Sequence, residues 1–314
     1  MQIDTDEKSA AVGNDDPFTL LPNEIVMLIA VATDDVCAMA CLERTCRRMC
    51  AVVSDDATWR LIHLRRHGGP APHERFAEFG KDWRWLYRAQ LPVGGKAGRS
   101  VGLVAGAISG RIYMGDLHGC LAHGYGRASW MGKGKCVPNP RIYEGQWFHD
   151  AMHGRGACTW HNGERYDGDW IDGKQHGHGI AHFTNGRIYD GQWACGAMYG
   201  RGVCTWPSGG RYEGDWADGK RHGKGTHVYS AEGTYDGGWW RGKSNGHGVF
   251  VWPNGARYEG DWTDGKRHGR GSMVHHNGDI YEGNWAKGKK HGRGVNRYAN
   301  GDIYEGDWRN GKMQ

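Results

Sequence analysis

A repeat of 23 residues dominates the C-terminal two-thirds of this chain of 314 residues. Each copy opens with a tyrosine and a string close to Glu-Gly-Asp-Trp, and the most regular copy runs from Tyr258 to Gly271. A weaker copy begins at Tyr113, 30 residues before the first regular one. A fixed period of this length is typical of stacked supersecondary units. The regular copies open at Tyr143, Tyr166, Tyr189, Tyr212, Tyr235, Tyr258, Tyr281 and Tyr304.

The pattern inside one copy predicts a β-hairpin. Tyr258, Gly260 and Trp262 alternate with Glu259 and Asp261, so a strand here places the rings on one face and the carboxylates on the other. A turn-forming Asp-Gly-Lys segment follows in this copy, and the chain then continues into a second β-prone run. Each copy is therefore expected to form two antiparallel strands.

The connections between copies predict one continuous ribbon. Most of them contain Asn-Gly, which favours the positive φ angles of a tight two-residue turn. Hairpins joined in this way form an antiparallel sheet in which rings pack between neighbours, with an expected length on the order of 75 Å. The dipeptides are Asn162-Gly163, Asn185-Gly186, Asn254-Gly255, Asn277-Gly278 and Asn300-Gly301.

The rings of the repeat are predicted to be structural. An aromatic stripe at a fixed period is more typical of a ribbon's own packing than of a ligand platform. The repeat also explains why the chain holds 54 glycines and 16 tryptophans, because the glycines make room for the rings. The residues given this role are Tyr143, Trp147, Tyr166, Trp170, Tyr212, Trp216, Tyr258, Trp262, Tyr281, Trp285, Tyr304 and Trp308.

Residues 143 to 311 resemble the MORN repeat (membrane occupation and recognition nexus), whose pattern is Tyr-Glu-Gly-x-Trp-x-x-Gly-x-x-x-Gly-x-Gly. The resemblance recurs in phase in every regular copy and implies an all-β ribbon from 101 to 314. Its departures are local: Asp150 replaces a turn glycine, Tyr199 and Asn245 replace a turn histidine, and Leu117 replaces the tryptophan of the Tyr113 copy. That first copy is expected to act as a cap.

The N-terminal part predicts helices. Residues 1–16 are polar and acidic, which is typical of a disordered tail. From residue 17 the apolar side chains of Leu21, Ile25, Leu28 and Ile29 recur at helical spacing, and later helices are predicted over Val36–Val53 and Ala57–Arg66. Residues 67–100 are predicted to form a linker that contains a packing helix within Arg75–Arg88.

Residues 17–66 resemble an F-box, a compact helical module. The resemblance rests on three segments in the family's order, although Cys37, Ala38, Ala40 and Cys41 stand where larger aliphatic residues are usual. It implies binding of a Skp-family adaptor, for which Leu21, Pro22, Ile25, Leu28 and Ile29 are the expected contacts. The alternative is an unspecialised helical cap. The three segments are 21–25 (Leu-Pro-Asn-Glu-Ile), 45–49 (Thr-Cys-Arg-Arg-Met) and 58–61 (Thr-Trp-Arg-Leu).

Composition argues against several classes of function. A net charge of +5 is too small to indicate nucleic-acid binding. Nine scattered cysteines, without a signal peptide or an apolar run of about 18 residues, predict an intracellular, cytoplasmic protein with reduced thiols. Gly237–Ser244 matches the phosphate-loop pattern, but the same spacing follows from the repeat in other copies, and no helix is predicted after it.

Metal binding and catalysis are also not expected. Histidines recur at one turn position, but equivalent positions in successive hairpins lie about 10 Å apart, too far to share an ion. Cys37, Cys41, Cys46 and Cys50 cannot surround an ion from a single helix. Since no pattern typical of a catalytic centre occurs, the sequence predicts no enzyme, no cofactor and no metal. The recurring histidines are His153, His176, His222, His268 and His291.

Basic residues cluster in the turns inside the copies and predict a positive edge. Such an edge would suit anionic lipid headgroups or an acidic partner, although solvation of the turns explains it more simply. The last copy ends at Gln314 before a second strand can form, so Tyr304 is expected to lie in an edge strand. This strand is expected to pair with a second chain as a homodimer, the alternative being a short charged edge that remains solvated. The candidate residues of the edge are Lys220, Arg221, Lys266, Arg267, Lys289 and Lys290.

The combined layout, an α+β multidomain chain, resembles an F-box substrate receptor of a cullin-RING ubiquitin ligase. F-box and MORN fusions of this kind are familiar from large DNA viruses of amoebae, which implies action on host machinery in the host cytoplasm. The F-box would hold the Skp-family adaptor and thereby the cullin, and the ribbon would hold a target protein. The alternative is a non-enzymatic MORN scaffold or a protein apposed to an anionic membrane.

Overall fold

A computed structural model of the chain describes residues 55–67, 75–90, 101–105, 111–130 and 141–314. The chain divides into two compact units, Met1–Leu103 and Val104–Gln314. The tail predicted for residues 1–16 lies outside the described residues, as do the expected adaptor contacts Leu21, Pro22, Ile25, Leu28 and Ile29.

The first unit contains two described α-helices, α1 (Asp56–His67) and α2 (Trp83–Ala89), and a 3-10 helix (Phe76–Phe79). Helix α1 agrees with the prediction for Ala57–Arg66. Asp55 caps it, because its Oδ2 accepts a hydrogen bond from the backbone N–H of Thr58 at 3.0 Å. No described helix is long and apolar enough to cross a membrane.

The single helix predicted within Arg75–Arg88 was wrong, because two shorter elements occupy this stretch. The 3-10 helix ends at Gly80, whose φ of 67° is left-handed and stops the helix. Asp82 then starts α2 by accepting a hydrogen bond from the N–H of Trp85 at 2.6 Å. Phe76 and Trp83, on either side of the break, meet edge to face with ring centroids 5.3 Å apart.

The second unit is an open antiparallel sheet of stacked hairpins, as predicted, and strand β1 begins just before the boundary between the two units. From β2 to β19 every strand pairs with the next strand along the chain. The strands are β1 Val101–Ala105, β2 Arg111–His118, β3 Leu121–Trp130, β4 Arg141–Phe148, β5 Ala151–Trp160, β6 Arg165–Ile171, β7 Lys174–His182, β8 Ile188–Ala194, β9 Ala197–Thr205, β10 Arg211–Ala217, β11 Lys220–Tyr229, β12 Gly233–Trp240, β13 Lys243–Val251, β14 Arg257–Thr263, β15 Lys266–Val274, β16 Ile280–Ala286, β17 Lys289–Arg297, β18 Ile303–Arg309 and β19 Lys312–Met313.

The tight two-residue turn lies inside the repeat unit rather than between units. Asp264 and Gly265 have φ angles of 49° and 80°, and Thr263 pairs directly with Lys266, which defines a type I′ turn. The N–H of this turn glycine also donates to the carbonyl of Ser244 at 2.9 Å, one unit earlier. Each turn of this kind is therefore bonded to the preceding unit as well as to its own strands.

The two-residue turn predicted at the Asn-Gly connections was wrong. Only Gly163 of the first such pair has a positive φ, 88°, and its N–H donates to the carbonyl of Trp160 at 2.9 Å. The connection is a three-residue loop, in which an ordinary turn is followed by a left-handed glycine. Asn162 stabilises this loop through its side chain, because its Oδ1 accepts a hydrogen bond from the N–H of Glu164 at 3.1 Å.

The core of the sheet lies on one face, which we call the ring face. Tyr258, Gly260 and Trp262 are buried there, whereas Glu259 is only partly buried and Asp261 is exposed. The prediction that rings and carboxylates occupy opposite faces is therefore confirmed. The divergent first copy follows the same plan, because Tyr113 and Leu117 in β2 are also buried.

The end of the last copy differs from the expectation. A short strand, β19, does form and pairs with β18 through Trp308 with Met313 and Arg309 with Lys312. It forms because Asn310 and Gly311, with φ angles of 54° and 86°, turn the chain back at once. The homodimer through the Tyr304 strand stays a prediction.

Candidate functional site

The rings of the repeat form a ladder that satisfies its own polar groups. Tyr258 meets Trp262 of its own unit and Trp285 of the next edge to face, with centroids 5.3 Å and 5.2 Å apart. Its hydroxyl donates to the carbonyl of Asp261 at 3.0 Å, and the indole N–H of Trp262 donates to the carbonyl of Gly248 at 3.1 Å. The structural role predicted for these rings fits this geometry.

Three of the six basic residues predicted to line a free edge lie against the ring ladder instead. The guanidinium carbon of Arg221 is 4.2 Å from the ring centroid of Trp239, and Arg221 Nη2 donates to the carbonyl of Gly242 at 2.8 Å. Arg267 repeats this arrangement with the next unit, 4.4 Å from Trp285. Lys290 places Nζ 4.7 Å from the Trp308 centroid. These cations bind neighbouring units through cation–π contacts.

The edge prediction was therefore wrong for Arg221, Arg267 and Lys290, while Lys220, Lys266 and Lys289 are exposed. The physical reason is the register of the hairpin. Each inward cation pairs across the turn with the unit's tryptophan and so shares the ring face. The signal was present in the sequence, since methionine occupies the same position in other units. The pairs are Trp216 with Arg221, Trp262 with Arg267 and Trp285 with Lys290, and the methionines are Met152 and Met198.

A cleft of about 520 Å3 opens beside Arg221. We call it the aromatic cleft and define it by Trp206, Arg221, Tyr229 and Arg187, which line it together with Lys220, Trp216, His227 and Glu232. Of these residues, the sequence predicted only Lys220 and Arg221 as candidate binding residues and assigned Trp216 to the ladder. Trp206, Tyr229 and Arg187 lie at the connections between units, where the repeat pattern is least regular. That irregularity is the signal that could have marked them.

The polar groups inside the aromatic cleft are held in one arrangement. Arg221 Nη1 lies 2.7 Å from His227 Nδ1, and because a guanidinium only donates, this nitrogen accepts and the imidazole is neutral. Burial raises the pKa of Tyr229, and the positive charge of nearby Arg221 partly offsets this increase. Burial and, as a smaller effect, the positive charge of Arg221 together lower the pKa of His227 to about 4.

The stability of the ribbon is expected to fall as the pH drops from about 6.5 to about 4. His227 has a folded-state pKa of about 4 and an unfolded-state pKa of about 6.5. As the pH falls, the unfolded chain therefore binds this proton before the folded chain does. The stabilisation that neutral His227 contributes above pH 6.5 is lost progressively between about pH 6.5 and about pH 4. The measurement is the urea midpoint against pH for wild type and His227→Phe, since Phe250 occupies the equivalent position. Parallel profiles for the two proteins would contradict the assignment.

One donor of a residue that lines the aromatic cleft has no acceptor in the described part of the chain. The Nε of Arg187 is buried and has no hydrogen-bond partner among the described residues, although its guanidinium stacks on Phe183 at 4.0 Å. A buried donor without a partner costs free energy.

A second groove, of about 460 Å3, lies farther along the same sheet. Arg270, Glu282, Arg293 and Glu305 line it, together with glycines that pair across the strands. Basic and acidic side chains alternate here without large apolar groups. We therefore take the aromatic cleft as the candidate functional site.

The phosphate-loop pattern at Gly237–Ser244 takes the predicted form. It runs from β12 through the turn at Arg241 and Gly242 into β13, so it joins strand to strand. A phosphate loop requires a helix N-terminus after the turn.

Comparison with protein families supports the division into units. Eight successive segments match the MORN repeat. The chain belongs to the MORN-repeat family. The match does not extend to the F-box-like segment. The MORN units are residues 143–165, 166–186, 189–211, 212–233, 235–257, 258–280, 281–303 and 304–314.

Solved structures match this MORN protein only distantly. The microcephaly protein CPAP G-box domain is 10% identical over 55% of this chain and 96% of that chain, with a TM-score of 0.30. The SAS-4 (dCPAP) TCP domain of Drosophila melanogaster, in complex with a proline-rich motif of Ana2, is 10% identical over 70% and 97%, with a TM-score of 0.25. A mutant TCP10 domain of Danio rerio CPAP is 12% identical over 67% and 100%, with a TM-score of 0.23. A search of curated proteins gives no match.

Proposed function

We propose that this MORN protein is a non-catalytic binding subunit whose aromatic cleft holds a segment of a target protein. The observation that carries the proposal is the set of Trp206, Tyr229 and Arg221 around one cleft. Tryptophan, tyrosine and arginine are the residue types that supply most of the binding energy at protein interfaces. Arg187, whose guanidinium stacks on Phe183, adds a further positive charge to the lining of the cleft.

The proposal extends to ubiquitination. The F-box-like segment 17–66 would bind a Skp-family adaptor through Leu21, Pro22, Ile25, Leu28 and Ile29, and the adaptor would connect the chain to a cullin ligase. The chain itself would supply no catalytic group. It would act by holding the target near the ligase, which raises the effective concentration of the reacting groups. The support for this step is the resemblance of residues 17–66 to an F-box.

The lipid-binding alternative is less well supported by the geometry. It needs a dense row of free cations, but Arg221, Arg267 and Lys290 are engaged with rings of the next unit. Of the six candidate edge residues, those that stay exposed are Lys220, Lys266 and Lys289, which is one lysine in each of three units. Juxtamembrane polybasic segments contribute about 1 kcal/mol per basic residue near an anionic surface. We therefore expect weak, salt-sensitive vesicle binding.

Affinity purification of the full chain from expressing cells tests both steps. Trp206→Ala combined with Tyr229→Ala is expected to abolish capture of the target while the adaptor and cullin are retained. Leu21→Ala combined with Pro22→Ala is expected to do the reverse. Trp240→Ala is the matched control, because this tryptophan is 51% exposed and does not line the cleft. Capture of no adaptor, or tight and salt-resistant binding to anionic vesicles, would favour the scaffold alternative.

A further inference from the structure

Three histidines from two neighbouring hairpins meet at one end of the described repeat strands. They are His118 at the end of β2, His123 in β3 and His149 in the turn between β4 and β5. Each offers a ring nitrogen, and these three nitrogens lie within 4.8 Å of one another. The histidines considered from the sequence recur at one turn position. This cluster instead combines three different positions of two units.

The backbone brings His118 and His123 together across one hairpin. His118 pairs with Leu121, so the chain reverses through Gly119 and Cys120. His123 follows two residues later, and its ring lies 5.6 Å from that of His118 between centroids. Both side chains therefore come from the same end of the first hairpin.

The turn that carries His149 is fixed on the same hairpin by Asp150. The backbone N–H of Asp150 donates to the carbonyl of Ala122 at 2.9 Å. Its Oδ1 accepts from the N–H of Ala122 and from Arg111 Nη2, both at 2.8 Å. Because His123 follows Ala122 in the chain, these bonds hold His149 beside His123. The centroids of the two imidazole rings are 5.5 Å apart. The departure of Asp150 from the glycine of the repeat is explained by this clamp.

One ring nitrogen of these histidines lacks a hydrogen-bond partner among the described residues. The Nδ1 of His123 is buried and has no hydrogen-bond partner within the part of the chain that the structure describes. Burying an imidazole nitrogen without a partner is unfavourable. His118 and His149 are exposed, so an ion from solution can reach the cluster.

We propose that His118, His123 and His149 form a binding site for Zn2+. Imidazole nitrogen is a preferred ligand of zinc, whereas Ca2+ and Mg2+ prefer oxygen. Zn–N bonds of about 2.0–2.1 Å place tetrahedral ligand atoms about 3.4 Å apart. Small rotations of the two exposed side chains close the remaining distance. The three histidines leave a fourth position for water or for a ligand from a partner.

Zinc at this position would tie two MORN-type hairpins together. His118 and His123 belong to the hairpin β2–β3, and His149 belongs to the hairpin β4–β5. An ion that binds the folded arrangement and not the unfolded chain stabilises the folded state by mass action. The site is independent of the aromatic cleft and of the function proposed for it.

Zinc titration of the full chain against a competing chelator tests the site. His118→Ala and His149→Asn are each expected to remove one equivalent of Zn2+ from the wild-type stoichiometry. Asparagine is chosen at residue 149 because it tolerates the φ of 45° found there. His268→Ala is the matched control, since it removes an exposed histidine from another unit. The result is the difference in bound zinc between each variant and wild type, so any zinc bound by the nine cysteines cancels.

Two further measurements guard against misfolded variants. Without zinc, the melting temperatures of both variants should match that of wild type, and zinc should raise only the wild-type and His268→Ala values. Cobalt(II) should give an absorption spectrum typical of nitrogen ligands in wild type and lose it in both variants. If both folded variants keep the full stoichiometry, or if zinc does not raise the wild-type melting temperature, the proposal is overturned.

Discussion

Trp239→Ala is expected to lower the free energy of unfolding by about 3–5 kcal/mol, the cost of removing a buried tryptophan. Trp239 is 4% exposed and packs between Tyr212 and Tyr235, with centroids 5.3 Å and 5.2 Å away. Its indole N–H donates to the carbonyl of Gly225 at 2.8 Å. The substitution leaves a cavity, removes this hydrogen bond to Gly225 and takes away the nearer of the two rings that Arg221 contacts. Urea denaturation of the full chain, followed by tryptophan fluorescence and circular dichroism, measures the loss.

The adjacent tryptophan provides the control. Trp240 follows Trp239 in β12, and successive residues of a strand face opposite sides of the sheet. Trp240 is exposed and meets His222 in a tilted arrangement, with ring centroids 4.5 Å apart. We expect Trp240→Ala to cost less than about 1 kcal/mol. Equal losses for the two variants would show that the ring face is not the core of the sheet.

Gly214→Ala is expected to destabilise the ribbon by about 3 kcal/mol, at the upper end of the cost of overpacking. A Cβ at this residue would lie 2.5 Å from the Cα of Gly225 and 2.7 Å from the hydroxyl of Tyr212. The first contact is with the backbone of the neighbouring strand, so no change of rotamer relieves it. Hydrogen exchange should show the loss of protection concentrated in β10 and β11.

Gly210→Ala is the matched control for Gly214→Ala. A Cβ at Gly210 would meet its nearest neighbours at 3.7 Å, which is ordinary van der Waals contact. Replacing glycine by alanine where the backbone allows it reduces the entropy of the unfolded chain. We expect a change smaller than about 1 kcal/mol in either direction. If Gly210→Ala is as destabilising as Gly214→Ala, steric exclusion at Gly214 is not the cause.

The repeat could be predicted from the sequence because its period and its alternation are both local properties. The spacing of Tyr258, Gly260 and Trp262 was enough to predict a strand and the face of it that is buried. The repetition of this spacing predicted the pairing of neighbouring strands. The turn types could not be assigned in the same way. Asn-Gly and Asp-Gly both suit two-residue turns, and the difference lies in where the strand pairing ends, which no dipeptide specifies.

The candidate site was predicted less well because it depends on which residues meet across strands. Arg221 and Arg267 were taken for edge residues, since a cation after a turn is usually solvated. Their pairing with Trp216 and Trp262 turned them toward the rings. The histidine cluster was missed for a related reason. The sequence argument compared only equivalent positions of successive hairpins, which lie about 10 Å apart. His123 and His149 come from different positions of neighbouring hairpins and therefore lie closer together.

The bond from each type I′ turn to the preceding unit has a consequence for how the ribbon forms. The N–H of Gly265 reaches the carbonyl of Ser244, and that of Gly288 reaches the carbonyl of Arg267, so each bond spans slightly less than one unit. The sheet therefore closes only short loops, which favours fast folding that spreads from unit to unit. Whole units can be added or deleted without changing the face of the sheet on which any side chain lies. A single residue inserted into a strand would instead turn its tyrosine and tryptophan away from the rings of its neighbours.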